Sequence, residues 1–337
     1  MTFAPQPRRL LKRIFYGDTS IPQEFTIALA QPQNEVAVSL ECGGLSIDVT
    51  DRHTIACCAP FILGISVYAE HADSVATCDR AQLVFSERAF PRRVLGTIRI
   101  APRETISLDG LRFILFNCLG SSNYCLPALR RWAHYLPGAV SNWRKLASFD
   151  VKMTYGEIRA SQVAFIRPHP LMLGSLNDWA GGNIFPMNLL GELGGGWIAF
   201  ALKDSRRAAH LVERAGRIAL SNVPLDLCSV AFQLAVNHTR EFADWDRLPF
   251  VLKRSRELLI PVPATSPRVR EMRIDRVHRI GSHTLFIAQV LSDDCRSNQP
   301  SVHIVHGFYQ HWRLKGDKAR LHSSVIEDTL NKRGATA

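Results

Sequence analysis

The chain has 337 residues, 46% of them hydrophobic, which is enough to bury a sizeable core and long enough for two domains. No apolar run approaches the roughly 18 uncharged residues of a membrane span, and the opening MTFAPQPRRLLKRIF lacks the apolar segment and small-residue cleavage site of a secretion signal, so a cytoplasmic protein is expected. The formal net charge of +11 favours anionic ligands, yet only Arg8, Arg9, Lys12 and Arg13 cluster and no nucleic-acid motif accompanies them, so a solvated basic surface is expected.

Residues 1–20 read as a Pro- and Arg-rich arm. From there to about Phe116, short apolar or alternating runs predict a β sandwich or barrel: 35–40, 61–68, 81–85, 94–100 and 111–116, separated by Gly, Asp, Pro and Ser turns. Cys57 and Cys58 follow His53, but neighbours on a strand face opposite ways and nothing orients the histidine, so a buried structural thiol is expected there. The eight cysteines show no C-x-x-C spacing, and neither a zinc site nor a disulfide framework is indicated. Leu126, Leu129, Ala133, Leu136, Val140 and Trp143 step by three or four and predict a connector helix. The domains are therefore divided as 1–150, β-rich; 151–318, a second domain; and 319–337, a polar tail.

The second half centres on Gly182 to Pro224, which reads as strand, glycine turn, strand, helix, strand. Trp197 to Leu202 is an apolar run of strand length, and Lys203-Asp204-Ser205-Arg206 follows it at once. Ser205 suits a helix N-cap, Ala208, Leu211, Val212 and Ala215 share one face, and Gly216 suits the position past the end. Lys203, Ser205 and Arg206 at a helix start would make a phosphate cradle, or an ordinary solvated turn. Leu225 to Val236 predicts a second helix, and a proline-punctuated excursion runs from Asp244 through Pro267. Closing strands are expected at 268–277, 283–291 and 302–309. His303, His306 and His311 are read as exposed histidines on a solvated strand, with no metal assigned. G-x-G-x-x-G, P-loop and G-x-S-x-G motifs are absent.

NIFPMN, FALKDS, RIALSNVP and RVREMRIDRVHRIGSHTLFIAQVLSDD together resemble the flavin reductase-like family of FMN-binding split barrels, over about Phe165 to Trp312. The resemblance implies a mainly β fold with helices (α+β), a split β-barrel preceded by a β-rich N-terminal domain. It implies that Asn183, Phe185, Pro186, Met187 and Asn188 lie along the flavin, with Asn188 where many members have serine, and that Lys203, Ser205 and Arg206 hold its phosphate. His283 would face the reacting edge of the flavin. The implied activity is an FMN- or FAD-dependent oxidoreductase that takes hydride from NAD(P)H and passes electrons to free flavin, a partner monooxygenase or a small acceptor. A homodimer is implied, with the alternative that the N-terminal domain is a diverged second barrel supplying the partner surface within one chain. Two other readings remain: a non-catalytic flavin- or partner-binding sensor, and a split barrel that holds haem.

Overall fold

A computed structural model describes residues 24–30, 32–135, 151–179 and 181–315. The expected arm, the tail and the end of the connector helix, including Leu136, Val140 and Trp143, lie outside these residues; 128–135 are helical. The fold is mainly β with helices, built on two seven-stranded antiparallel sheets.

After β1 (Glu24–Leu29), the first sheet comprises β2 (Val36–Cys42), β3 (Leu45–Asp48), β4 (His53–Cys58), β5 (Phe61–Tyr68), β6 (Ala81–Glu87), β7 (Val94–Leu108) and β8 (Leu111–Asn123). β9 (His169–Pro170) precedes the second, which takes in β10 (Met172–Asp178), β11 (Gly181–Met187), β12 (Leu190–Gly194), β13 (Trp197–Lys203) and β14 (Arg217–Asn222). A small hairpin, β15 (Leu252–Arg254) with β16 (Pro261–Pro263), interrupts it before β17 (Arg268–Ile280) and β18 (His283–Cys295). β19 (Ser301–His306) leads into the helix Gly307–Lys315.

The two sheets repeat one topology. The first runs β3-β2-β6-β7-β8-β5-β4 and the second β11-β10-β14-β17-β18-β13-β12, so each strand of one has a counterpart of the same rank in the other. A helix follows the fourth strand in both, Ala69–Ala76 after β5 and Arg207–Ala215 after β13. The repeat extends to irregularities. The β7–β8 ladder skips Arg103 and Leu119, and the β17–β18 ladder skips Asp275 and Leu291. Counted from the two tight turns, these bulges occupy identical register positions, a detail that apolar patterning alone does not impose. In each sheet the two edge strands are consecutive in the chain, β3 with β4 and β11 with β12, so the sheet must curl back on itself and leave a split between its edges.

Strand burial follows from this arrangement. β2 alternates, with Val36, Val38, Leu40 and Cys42 buried, as one covered face requires. β5 and β13 are buried almost throughout, because one face lines its own barrel and the other meets the second barrel. Ala56, Cys57, Ile62, Leu111, Phe113 and Leu115 of the first barrel share one apolar cluster with Leu193, Trp197, Ala199, Leu285 and Ile287 of the second. The core of the second barrel gathers Phe185, Ile198, Phe200, Ile218, Met272 and Phe286 around Leu211 and Val212 of its helix.

The helix Tyr155–Ala164 belongs to the first barrel. Thr154 and Glu157 form a capping box, and Glu157 Oε1 also accepts from Phe61 N–H at 3.2 Å, pinning the helix to β5. The strand expected at 302–309 is not part of either barrel. β19 is the middle strand of a separate sheet, between β1 and β9, and 307–315 is helical. This also corrects the reading of His303 and His306 as exposed: both are buried, because β19 is paired on both edges and covered by its neighbours. All eight cysteines are free thiols, only Cys295 being exposed. Among the described residues no helix is long and apolar enough to cross a membrane.

Candidate functional site

β13 ends at Lys203, which sits opposite His283, the first residue of β18. Because residues paired across an antiparallel ladder share a face, the register sets an ammonium group beside an imidazole. The chain then turns through Asp204 and Ser205, the turn closing with Arg206 N–H donating to the Lys203 carbonyl at 3.0 Å. The helix Arg207–Ala215 starts there. Arg206, not Ser205, occupies its N-cap, because β13 runs on through Lys203 to complete the pairing with His283 and the turn uses up Ser205. No side chain caps this helix; the Ala209 N–H is taken by the Arg206 carbonyl at 3.2 Å, and the leading N–H groups before it have no side-chain cap. Ala208, Ala209, Leu211 and Val212 are buried, and Gly216 ends the helix in the left-handed conformation with φ 62°.

A pocket of about 320 Å3 opens at the split of this barrel. One wall is Pro186, Met187, Asn188 and Leu189, where β11 passes to β12; another is Ala201, Leu202 and Lys203 of β13. Arg206 and His283 stand at the helix start and the head of β18, and Ala235 and His238 close the side. The structure thus brings Pro186, Met187, Asn188, Lys203, Arg206 and His283 together. Asn183, Phe185 and Ser205 do not line the pocket. Asn183 is fully buried and donates to the carbonyls of Asn237 and Arg240 at 3.1 and 3.0 Å, while its Oδ1 accepts from Ile184 N–H. Phe185 is in the barrel core and packs on the His238 ring at 4.9 Å. Ser205 is exposed.

The electrostatics are those of an anion site with a neutral imidazole. Lys203 makes no salt bridge with another described residue, whereas the nearby Arg207 and Arg214 are both paired with Glu241. Burial, and then the Lys203 ammonium, push His283 down to about 4, so the ring is neutral near pH 7. Its Nδ1 lies 2.8 Å from Ser282 Oγ, which itself accepts from Ala59 N–H at 3.2 Å, and Cys58 N–H is directed at the same nitrogen. Ser282 O–H donating to Nδ1 satisfies this arrangement and leaves the ring proton on Nε2. Burial also holds His238 below its ordinary value, against its hydrogen bond to the Pro186 carbonyl at 2.7 Å, with Arg206 and Lys203 adding to the depression.

Two contributions are missing from the sequence reading. Ala235 and His238 come from 3-10 helix Leu234–Thr239, within a region where the expected single helix Leu225–Val236 is broken into a 3-10 turn, the short helix Cys228–Gln233 and this second 3-10 turn. The other is the turn Cys57 to Pro60 of the first barrel, which touches Ser282 and His283; Cys57 Sγ lies 3.9 Å from His283 Nδ1. Burial pushes the Cys58 thiol up to about 12, which keeps it protonated and unsuited to nucleophilic work. No local pattern announces either contact. Among the described residues no group of three or more His, Cys, Asp or Glu is placed to hold a metal ion.

No family model matches the chain, and no curated protein matches it in sequence. Its fold is similar in part to solved structures. One is an FMN-binding protein from Thermus thermophilus, 19% identical, covering 38% of this chain and 71% of that one with a TM-score of 0.34. Another is the NADH:FAD oxidoreductase of Streptomyces globisporus C-1027, 15% identical, with 45% and 89% covered and a TM-score of 0.39. A third is the styrene monooxygenase flavin reductase of Pseudomonas putida S12, 18% identical, with 42% and 90% covered and a TM-score of 0.34. Likenesses this loose, over less than half the chain, transfer no residue roles.

Proposed function

We propose that this pocket binds FMN and that the protein is a flavin reductase-like oxidoreductase using NAD(P)H as reductant. The reading rests on the geometry of the pocket and on the sequence resemblance. The observation that carries it is the Lys203–His283 cross-strand pair, which sets a cation and a neutral hydrogen-bond donor in one pocket with an uncapped helix start. The residues present fit such a ligand. A phosphate needs cations to spare, and Lys203 has no ion partner among the described residues. A flat ring system needs an apolar wall with few directed polar groups, as Pro186, Met187, Leu189, Ala201 and Leu202 offer within a volume at the lower end of the roughly 300–1,000 Å3 of small-molecule sites.

In this reading Lys203, Arg206 and the helix N–H groups bind the phosphate. His283 Nε2–H donates to a ring heteroatom, the Asn188 amide supplies a second polar contact, and the apolar wall excludes water. Bound flavin supplies hydride transfer, which the protein orients rather than performs. FAD, a partner monooxygenase, free flavin or a small acceptor complete the same chemistry, and a cytoplasmic location belongs with it. The test is the absorption spectrum of the purified protein with an FMN titration, followed by anaerobic NAD(P)H. Bound FMN that bleaches supports the proposal. Absence of binding at micromolar FMN overturns it and leaves the haem reading if a Soret band is seen and the partner-binding sensor reading if the protein is colourless.

A further inference from the structure

We propose that the N-terminal barrel is a built-in second subunit: it packs on Ser282 and His283 behind the Lys203–His283 pocket, holding the imidazole in place, and retains no ligand site of its own, so that one chain is the complete binding unit with a single site. The proposal rests on the reading of that pocket as a ligand site.

The two barrels meet as two copies of one subunit would about a two-fold axis. β4 packs on β13 and, reciprocally, β12 packs on β5, with β4 and β12 in contact between them. The reciprocity holds at the turns. Cys57 to Pro60, where β4 turns into β5, presses on Gly281, Ser282 and His283; Gly194 and Gly195, where β12 turns into β13, sit so near Leu111, the first residue of β8, that a Cβ added to either would lie 3.6 or 3.5 Å from its side chain. Each barrel therefore braces, in the other, the head of the strand that pairs with the last residue of β13 or β5, His283 opposite Lys203 and Leu111 opposite Tyr68.

Only one of the two equivalent positions is equipped. The ladders that pair Lys203 with His283 pair Tyr68 with Leu111 in the first barrel, so both the cation and the imidazole are replaced by uncharged, largely apolar groups. The turn that carries Arg206 is missing, since Tyr68 both ends β5 and caps the helix Ala69–Ala76, whose first turn carries the anion-repelling Glu70. The wall bearing Ala235 and His238 comes from the long connection between β14 and β17, whereas β6 passes to β7 through 88–93 alone. The Arg52 guanidinium lies over the Tyr68 ring, 4.5 Å from its centroid, where the entrance would be.

Light scattering on the purified full chain, together with calorimetric FMN titration of the wild type and of Lys203→Glu/Arg206→Glu, tests this. A particle of one chain, 37.7 kDa, binding one FMN, with binding lost in the variant, is the expected result. Two FMN per chain, or a two-chain particle, overturns the proposal; so does a variant that, with an unchanged melting temperature, still binds FMN as the wild type does. A one-chain particle that binds no FMN overturns the flavin reading while leaving the subunit arrangement standing, so the two failures are distinguishable.

Discussion

Gly281, in the tight turn between β17 and β18, is packed so closely on Ala59 that a Cβ at this position would lie 2.4 Å from the Ala59 carbonyl oxygen. The contact joins the two barrels beside the pocket, since the next residue, Ser282, accepts from Ala59 N–H and touches His283.

Gly281→Ala combines a left-handed φ of 55° with this clash. Gly110, in the equivalent turn of the first barrel, has φ 70° and open space around it. Gly110→Ala is expected to cost about 1–2 kcal/mol for the conformation alone, and Gly281→Ala about 1–3 kcal/mol more for overpacking. Urea unfolding of the two variants measures the difference. Equal losses would show that the barrel junction yields freely at Gly281.

Asn183 lies behind the pocket, and its expected effect is indirect. Replacing it with Ala removes its donations to the carbonyls of Asn237 and Arg240, roughly 0.5–1.5 kcal/mol each, although Arg240 N–H still serves the Asn237 carbonyl. The segment that carries His238 is then released. Faster proteolysis between residues 234 and 247, with weaker FMN binding, is the predicted pair of results; protected cleavage sites would argue that the segment is held by other contacts.

Arg313 and Glu35 form a buried ion pair at 2.6 Å, and Tyr309 O–H also donates to Glu35 at 2.6 Å. This ties the helix Gly307–Lys315 to the start of β2. Arg313→Met leaves a carboxylate buried without its cation and should cost about 3–5 kcal/mol, whereas Glu35→Leu with Arg313→Met should recover much of the loss. A double-mutant cycle by denaturant unfolding reads the coupling. A purely additive pair of losses would refute it.

Stability should fall on the acid side. Burial lowers His283 and His303 to about 4 and His53 and His306 to about 3, and His169 is also held well below its ordinary value. Between those values and about 6.5 the unfolded chain binds protons that the native state refuses, so stability rises with pH across this window. Thermal unfolding followed from pH 8 to pH 4 should show a steady Tm above about 6.5 and a falling one below it. His303→Gln should flatten the fall by one proton's worth of slope, and an unchanged slope would mean that His303 does not contribute.

The lysine and arginine at the helix start give the most direct test of the site. Lys203→Ala with Arg206→Ala should weaken FMN binding by about 10- to 150-fold, the roughly 1.5–3 kcal/mol range of hydrogen bonds to charged groups, without changing the fold. Fluorescence titration of FMN measures it, and unchanged affinity would remove the phosphate assignment.

Local information in the sequence was enough for the stretch that builds the pocket. The apolar run before Lys203, the amphipathic spacing after Arg206 and the glycine at 216 each act within a turn or two of chain, and the strand, helix and helix end lie where those signals point. The cap residue depended on more, because Arg206 rather than Ser205 takes it once Lys203 is drawn into the pairing with His283, eighty residues away. Asn183 and Phe185 share a strand with the pocket wall, but whether they face a ligand or the core is set by packing, and they face the core. The internal repeat entered the sequence analysis only as an alternative attached to the resemblance, and the residues of the first half do not announce it for a general reason. Two barrels of one topology need only apolar residues of suitable size at corresponding places, so their side chains diverge, while the backbone hydrogen bonds that define strand order and bulge positions are carried by atoms every residue shares. Tertiary structure alone decided that Cys57 to Pro60 lies against Ser282 and His283, and so made the first half of the chain a support for the site.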